Sequence, residues 1–224
     1  MLDFGRILRD VRVSSFATFA FNIRENSRLI FALISVMDFS RDIDNCLTVL
    51  RNGGLILYPT DTIWGIGCDA TNEKAVEKIY QVKERPPNKG LIILVAEERG
   101  VLQYVASPDF RVFDYLHKAD KPTTVIYENA IGLADNLVSE DGSIAIRIVK
   151  DEFCRHLIKR FQKPIVSTSA NLSGQASPSN FSDIPGSIKL KVDYIVEHRQ
   201  DEKKLETSST IIKWKDGKPL MLRS

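Results

Sequence analysis

The sequence predicts an α/β protein in which helices cover a mixed sheet, and three observations support this fold class. Short apolar runs alternate with helix-like segments along most of the chain. Asp216-Gly217 lies between two extended runs near the C-terminus, which is a strong hairpin signal. Apolar residues make up 43% of the 224-residue chain and charged residues 27%, as in an ordinary globular protein. We therefore expect a mixed sheet rather than a sandwich.

Residues 1–36 differ from the rest of the chain. They contain scattered Arg, Phe, Ile and Ser, and an apolar run that is far too short to span a bilayer. A well-formed helix start follows Met37 at once. We interpret 1–36 as an N-terminal extension outside the fold, with Met37 as a possible true initiator and 37–224 as the folded domain. A signal peptide, an organelle transit peptide and a real but dispensable extension are the alternatives.

Helices are expected where apolar residues recur every three or four positions after a residue that can cap a helix start. Gly pairs and Pro pairs mark the expected ends. The predicted helices are 41–51 after Ser40, a helix from Thr71-Asn72-Glu73 to Pro86-Pro87, one from Ser107-Pro108-Asp109 with Phe110, Phe113 and Leu116 inward, and one capped by Asp151.

Strands are expected where short runs are apolar or alternate between apolar and polar residues. The run Ile165-Val166 should be buried and should stop abruptly in a polar turn. Open α/β sheets bind ligands outside the carboxyl ends of their strands, so that turn is a candidate site. In chain order, the strands are predicted at 55–58, 91–95, 123–127, 143–148, 165–166, 193–196, 209–214 and 218–223.

Hydroxyl-rich stretches follow two of the predicted strand ends. Hydroxyls and amides can bind phosphate, ribose or carboxylate oxygens without carrying charge. Gly65 and Gly67 lie close to the first stretch and are expected to permit tight turns. An ordinary polar loop is the alternative interpretation of each stretch. The side chains concerned are Thr60, Thr62, Ser167, Ser169 and Asn171, with Ser177 in a further hydroxyl-rich turn.

Cations crowd the junction between the second predicted helix and the strand that follows it. Lys83 continues the inner stripe of that helix, and Arg85 and Lys89 come directly after it. A helix C-terminus favours cations, but a polyanion such as a triphosphate explains three of them better. Arg147 shares one face of its strand with Ser143 and needs a partner, which could be a structural carboxylate or that of a ligand.

Several common site types are excluded. The chain has neither a P-loop nor a dinucleotide-binding glycine motif. Its three cysteines are scattered and its three histidines are not clustered, which indicates reduced thiols, a cytoplasmic protein and no transition-metal site. A site of hydroxyls and cations with few carboxylates would bind and orient anions, as phosphoryl or nucleotidyl transfer requires. Magnesium would arrive with the nucleotide, and no organic cofactor is expected.

Taken together, these motifs resemble the YrdC-like family of threonylcarbamoyl-AMP synthases, in its short form. Each motif is weak alone, but their order and spacing over 38–224 are specific. The motifs are Tyr58-Pro59-Thr60-Asp61-Thr62 with Gly65-Ile66-Gly67, Lys83-Glu84-Arg85-Pro86 with Lys89, Ser143-Ile144-Ala145-Ile146-Arg147, Ser167-Thr168-Ser169-Ala170-Asn171 with Ser173-Gly174, Ser177, Ser209-Thr210-Ile211 and Arg223.

The resemblance implies a twisted sheet around a large concave cavity. It also implies an enzyme that joins L-threonine, bicarbonate and ATP to give threonylcarbamoyl-AMP and diphosphate, for modification of tRNA by a partner transferase. By position, Lys83 and Arg85 would stabilise developing charge. ATP would be bound by Arg85, Lys89, Ser143, Ser169, Asn171, Ser177 and Arg223, and threonine by Thr60, Thr62, Arg147, Ser167 and Ser209.

Two departures from the family pattern concern the pocket. Ala119-Asp120-Lys121-Pro122 stands where Trp-Pro-Gly-Pro is usual, and Leu94 stands where some members have histidine near threonine. Two alternatives to the synthase remain. One is an RNA-binding module without synthase activity, which the net charge of +2 disfavours. The other is a carbamoyl-transfer domain that makes a related adenylate. No membrane association is expected.

Overall fold

The computed structural model describes residues 39–86, 90–203, 208–215 and 217–223. The chain divides into two compact units, Met1–Ser40 and Arg41–Ser224, and apart from Phe39 and Ser40 the described residues belong to the second. The predicted extension 1–36, Met37 and Lys89 lie outside the described residues. The proposed domain limits therefore stay a prediction.

Two helices begin at the caps that the sequence indicates. The side chain of Asn72 accepts a hydrogen bond from the Ala75 amide at 3.2 Å, and that of Asp151 accepts one from Cys154 at 2.8 Å. Glu84 adopts a left-handed conformation that ends the second helix. The described helices are α1 (Ser40–Arg51), α2 (Glu73–Lys83), α3 (Glu98–Tyr104), α4 (Arg111–Lys118), α5 (Glu152–Phe161) and α6 (Gly186–Lys189).

The described residues form nine strands in one continuous order, which confirms the mixed sheet. Across the sheet the order is β7-β1-β2-β6-β3-β5-β4-β8-β9. Three neighbouring pairs are parallel and the others antiparallel, including the predicted C-terminal hairpin β8–β9. The strands are β1 (Ile56–Tyr58), β2 (Gly65–Gly67), β3 (Ile92–Val95), β4 (Thr123–Tyr127), β5 (Ile144–Ile148), β6 (Ile165–Ser169), β7 (Tyr194–Ile195), β8 (Thr210–Lys215) and β9 (Lys218–Arg223).

The register places several polar side chains on one face of the sheet. Arg147 pairs with Thr124, which lies opposite Ile211, and Ile211 pairs with Arg223. Ser167 pairs with Ile92 on the neighbouring strand β3. Residues that pair across strands share a face, so a row of hydroxyls and arginines runs across this one. Buried Ile93 and Ile146 alternate to the other face, and α3 and α5 pack on β3.

Two predicted turns are strands in the structure. β6 continues through Ser169, because Ser167 pairs with Ile92 and Ser169 with Gly65. Gly65 and Gly67 form β2 and were wrongly expected to permit tight turns. Position 67 requires glycine, because a Cβ atom on Gly67 would lie 2.7 Å from both the Tyr58 ring and the Val166 carbonyl oxygen. The polar stretch is thus fixed by the sheet rather than by a loop.

The third predicted helix begins later than expected. α4 starts at Arg111, so Phe110 precedes it and is 65% exposed, contrary to the prediction that it faces inward. Val112 and Phe113 are its buried residues. α3, a seven-residue helix that packs against β3 and β5, was not predicted from the sequence.

Replacement of Gly67 by alanine tests the close packing of β2. We expect Gly67→Ala to lower the free energy of unfolding by about 1–3 kcal/mol, because the new methyl group would overlap neighbouring backbone and ring atoms. Urea denaturation measures the change. Gly186→Ala is the matched control, since a Cβ at Gly186 meets nothing within 4 Å. Equal stability of the two variants would contradict this account of the packing.

Candidate functional site

A basic, hydroxyl-lined cleft lies against the polar face of the sheet. Its volume is ≈ 190 Å³. Its walls come from the β1–β2 loop, the segment after α2, the end of β6, the segment that leads into β8, and the end of β9. Most of the site residues predicted from the sequence meet here: Thr62, Arg85, Arg147, Ser167, Ser169, Ser177, Ser209 and Arg223, with Ile63, Trp64, Gly65, Gly90, Leu91, Ile92, Thr168, Ser208 and Ile211 beside them.

Four other predicted residues lie outside the lining of this cleft. Thr60 supports it, since its hydroxyl lies 3.0 Å from that of Thr62 and donates to the Ile63 carbonyl at 2.8 Å. Asn171 shapes the turn after β6 by donating to the Leu172 and Gln175 carbonyls. Ser143 is buried just before β5, and Lys83 is buried at the end of α2.

Lys83 joins the end of α2 to the end of β6. Its side chain is 1% exposed, and Nζ donates to the Ser169 carbonyl at 2.5 Å and the Asn171 carbonyl at 2.6 Å. Burial, and to a smaller extent the positive charge of Arg85, lowers the pKa of Lys83 to about 8. The two carbonyl acceptors favour the charged form. Lys83 therefore fixes the backbone on which Ser169 is carried.

Arg85 is placed by the same junction. Its amide donates to the Tyr80 carbonyl at 2.9 Å, directly after the left-handed residue Glu84. The guanidinium is half-buried, and Nη2 donates to the Gly90 carbonyl at 2.7 Å. Burial lowers the pKa of Arg85, but the guanidinium group keeps its charge. A cation thus faces the cleft from the segment that leads into β3.

Arg147 is the most deeply buried cation of the cleft, at 2% exposure. Its partner is the carboxylate of Asp61, since Nη2 lies 3.0 Å from Oδ1. One of the two partners that the sequence left open, a structural carboxylate, is therefore present. The pairing is incomplete, because Arg147 Nε donates no hydrogen bond and Asp61 Oδ1 accepts none. Such orphaned buried groups need an explanation.

The opposite wall is held by hydrogen bonds between β4 and the C-terminal hairpin. The Ser209 hydroxyl lies 2.8 Å from that of Thr124. Arg223 donates from Nε and Nη2 to the Ser209 carbonyl at 3.3 and 2.8 Å. A second arginine is thereby fixed at the rim of the cleft, although β9 itself is exposed.

No role was predicted for Asp61 from the sequence, although it lies within the Tyr58–Thr62 motif. The signal that could have found it was the predicted need of Arg147 for a carboxylate. Of the two departures from the family pattern, the first lies away from the cleft and the second lies beside Arg147. Ala119, Lys121 and Pro122 line a separate cavity of ≈ 420 Å³, and Leu94 is fully buried in β3 opposite Arg147.

The donor set of the cleft suits anions rather than metal ions. Among the residues that the structure describes, the cleft lining contains no carboxylate. Within the same residues, no group of three or more His, Cys, Asp or Glu side chains could hold a metal ion. No helix in the described part of the chain is both long and apolar enough to cross a membrane. Fold and cleft together define a mixed α/β protein with a basic, hydroxyl-lined site on one sheet face.

Comparison with known sequences identifies the family. Residues 48–224 match the family model Sua5_yciO_yrdC, described as "Telomere recombination". A threonylcarbamoyl-AMP synthase of Pseudoalteromonas translucida is 32% identical over 154 residues, which are 67% of this chain and 82% of that protein. One of Idiomarina loihiensis is 35% identical over 147 residues, 64% of this chain and 79% of that protein. The chain belongs to the Sua5/YciO/YrdC family.

Solved structures agree with the fold. Sua5 of P. abyssi in complex with L-threonine has a TM-score of 0.72 and 25% identity, over 81% of this chain and 53% of that one. The chain thus spans about half the length of that relative. YciO of E. coli has a TM-score of 0.71 at 21% identity, over 82% of this chain and 89% of that one, which supports the fold alone.

The buried charge of Lys83 gives a prediction for stability as a function of pH. Its pKa is lowered from 10.5 to about 8 in the folded state, so between these values the unfolded chain binds more protons. The contribution of Lys83 to the free energy of unfolding therefore becomes more favourable as the pH rises, by roughly 2 kcal/mol up to pH 10.

Urea denaturation of the wild type and Lys83→Met at pH 7.5 and 10 measures this effect. The difference in stability between the two proteins should increase at the higher pH. The exposed residue Lys159 supplies the control variant Lys159→Met, for which no such increase is expected. A constant difference for Lys83→Met would show that burial does not depress its pKa.

Proposed function

We propose that the cleft is the active site of a threonylcarbamoyl-AMP synthase, a nucleotidyltransferase that acts for threonylcarbamoyladenosine modification of tRNA. The observation that carries this function is the meeting of Arg85, Arg147 and Arg223 with the hydroxyls of β6 in one cleft. The two relatives named threonylcarbamoyl-AMP synthase support the enzyme over an RNA-binding module without activity. The substrates proposed are L-threonine, bicarbonate or CO2, and ATP.

Threonine is assigned to the part of the cleft around Arg147. The guanidinium can bind a carboxylate, and the hydroxyls of Thr62, Ser167 and Ser209 surround it. Thr60 acts behind this wall through Thr62. The Sua5 structure with bound L-threonine, from a protein of the same fold, supports an amino-acid ligand here.

ATP is assigned to the remainder of the cleft, and magnesium enters with it as part of the substrate. Arg85 and Arg223 supply positive charge, and Ser169 and Ser177 supply hydroxyls. Ser143, Asn171 and Lys89 complete the proposed set, although the first two lie outside the lining and the last lies outside the described residues. A lining without carboxylates fits a metal that is coordinated by phosphates and water.

The reaction then proceeds in two steps. The threonine amine attacks the carbon of CO2 and releases one proton to solvent, which gives a carbamate. With bicarbonate, the amine proton instead leaves together with hydroxide as water. A carbamate oxygen attacks the α-phosphorus of ATP, and the bond to the β-phosphate oxygen breaks to release diphosphate. Arg85 stabilises the charge that develops on the phosphoryl oxygens, as positioned cations do in phosphoryl transfer.

Lys83 contributes in a different way from Arg85. We assign it the role of holding Ser169 and Asn171, because its Nζ is bound to their carbonyls. We propose that Lys83 also stabilises developing charge, as predicted from the sequence, in addition to this positioning role. The product would be consumed by a separate transferase that acts on tRNA. We place the reaction in the cytoplasm, where tRNA and ATP are available.

A diphosphate-release assay tests the function. Purified protein with MgATP, L-threonine and bicarbonate should release diphosphate, and omission of threonine or bicarbonate should abolish the release. Arg85→Gln should lower kcat/KM by about 100-fold, the typical effect of removing one group that stabilises developing charge.

The control variant for this assay is Arg160→Gln, since Arg160 is an exposed arginine paired with Asp44 away from the cleft. It should keep the wild-type rate. Folded wild-type protein that releases no diphosphate in the presence of all three substrates would overturn the assignment. An Arg85→Gln variant with full activity would remove Arg85 from the mechanism.

A further inference from the structure

The pair Arg147–Asp61 has a feature that the proposed chemistry does not use. Both side chains are nine-tenths or more buried, and their charged ends are in contact at 3.0 Å. Even so, Arg147 Nε and Asp61 Oδ1 have no hydrogen-bond partner. Asp61 Oδ2 accepts a long bond from the Lys150 amide at 3.4 Å, which ties the carboxylate to the end of β5. A buried ion pair with unsatisfied atoms costs free energy and therefore needs a function.

The charge of this pair differs from that of Arg223 at the rim of the cleft. Asp61 neutralises Arg147, so the two side chains together carry no net charge. Arg223 donates instead to the carbonyl of Ser209, which carries a dipole but no net charge. An anion placed beside Arg147 therefore also feels the repulsion of a buried carboxylate a few ångströms away.

This repulsion separates two kinds of ligand. A zwitterionic amino acid has no net charge, and its single carboxylate can take up the free donor capacity of Arg147. A phosphate group carries nearly two charges and would face Asp61 with roughly twice the repulsion. The same arginine without its carboxylate would be a good phosphate site, because guanidinium groups bind phosphate and carboxylate alike.

We propose that Asp61 is a specificity-determining residue that reserves the Arg147 part of the cleft for an amino-acid carboxylate and keeps phosphate groups out. This rests on the proposed function, since it takes ATP and an amino acid as the two ligands. Asp61 touches neither ligand in this arrangement. It acts by orienting Arg147 and by cancelling its charge, so that the triphosphate binds at Arg85 and Arg223.

Calorimetric titration with inorganic diphosphate tests the proposal without turnover. The wild type should bind diphosphate at the nucleotide end only, and saturating L-threonine should leave that isotherm unchanged. Asp61→Asn should gain a second diphosphate site or bind at least about tenfold more tightly, because the buried charge of Arg147 is no longer cancelled. Added L-threonine should compete with this gained binding.

A double variant and a matched control test whether the uncancelled charge of Arg147 causes the gained diphosphate binding. Asp61→Asn/Arg147→Gln removes both charges and should lose the gained binding. Asp44→Asn removes the carboxylate of another Asp–Arg pair, far more exposed, and should behave as the wild type. In steady-state assays, Asp61→Asn should raise the KM for threonine about tenfold and leave the KM for ATP nearly unchanged.

Three results would overturn the proposal. The first is an Asp61→Asn isotherm identical to that of the wild type. The second is gained binding that persists in the double variant. The third is displacement of diphosphate by threonine in the wild type. This test does not depend on the folding of any variant. If the wild type makes no threonylcarbamoyl-AMP but the diphosphate results are as expected, the proposed function fails and the charge cancellation stands.

Discussion

The ammonium group of Lys83 connects the two halves of the cleft. Lys83 is the last residue of α2. Its ammonium group donates two short hydrogen bonds, to the carbonyls of Ser169 at the end of β6 and of Asn171 just beyond it. α2 continues into Arg85, and β6 ends in Ser169, so one buried cation sets the separation between a charged wall and a hydroxyl wall. The cost of burying that charge is offset by its carbonyl acceptors. A shorter or neutral side chain would leave those acceptors unsatisfied.

Close packing at the glycine residues of β2 is a second feature that positions the hydroxyl wall of the cleft. β2 lies between β1 and β6, and Gly67 has space for no side chain against Tyr58 and Val166. Because β6 is paired on both sides, its hydroxyl residues have fixed directions. A site carried on a strand is more exactly placed than one on a free loop, which suits chemistry that depends on orientation.

The sequence predicted the elements that depend on local chemistry. Asn72 and Asp151 cap their helices as expected, and the alternation around Arg147 places it on the face that lines the cleft. It failed where long-range pairing decides the outcome. Gly65–Gly67 and Ser167–Ser169 resemble turns by composition, and their pairing with each other and with β1 and β3 makes them strands. Asp61 escaped assignment for the same reason, because its partner lies on a distant strand.

The location of Arg223 links ligand affinity to the edge of the sheet. It is the last residue of β9, an edge strand whose residues are all exposed, and its guanidinium reaches the Ser209 carbonyl. Edge strands open locally at low free energy, and each opening would withdraw this arginine from the rim. On the proposed assignment, nucleotide binding therefore includes the work of keeping the terminal hairpin closed. A bound nucleotide would in return slow hydrogen exchange along the hairpin, far beyond the atoms it contacts.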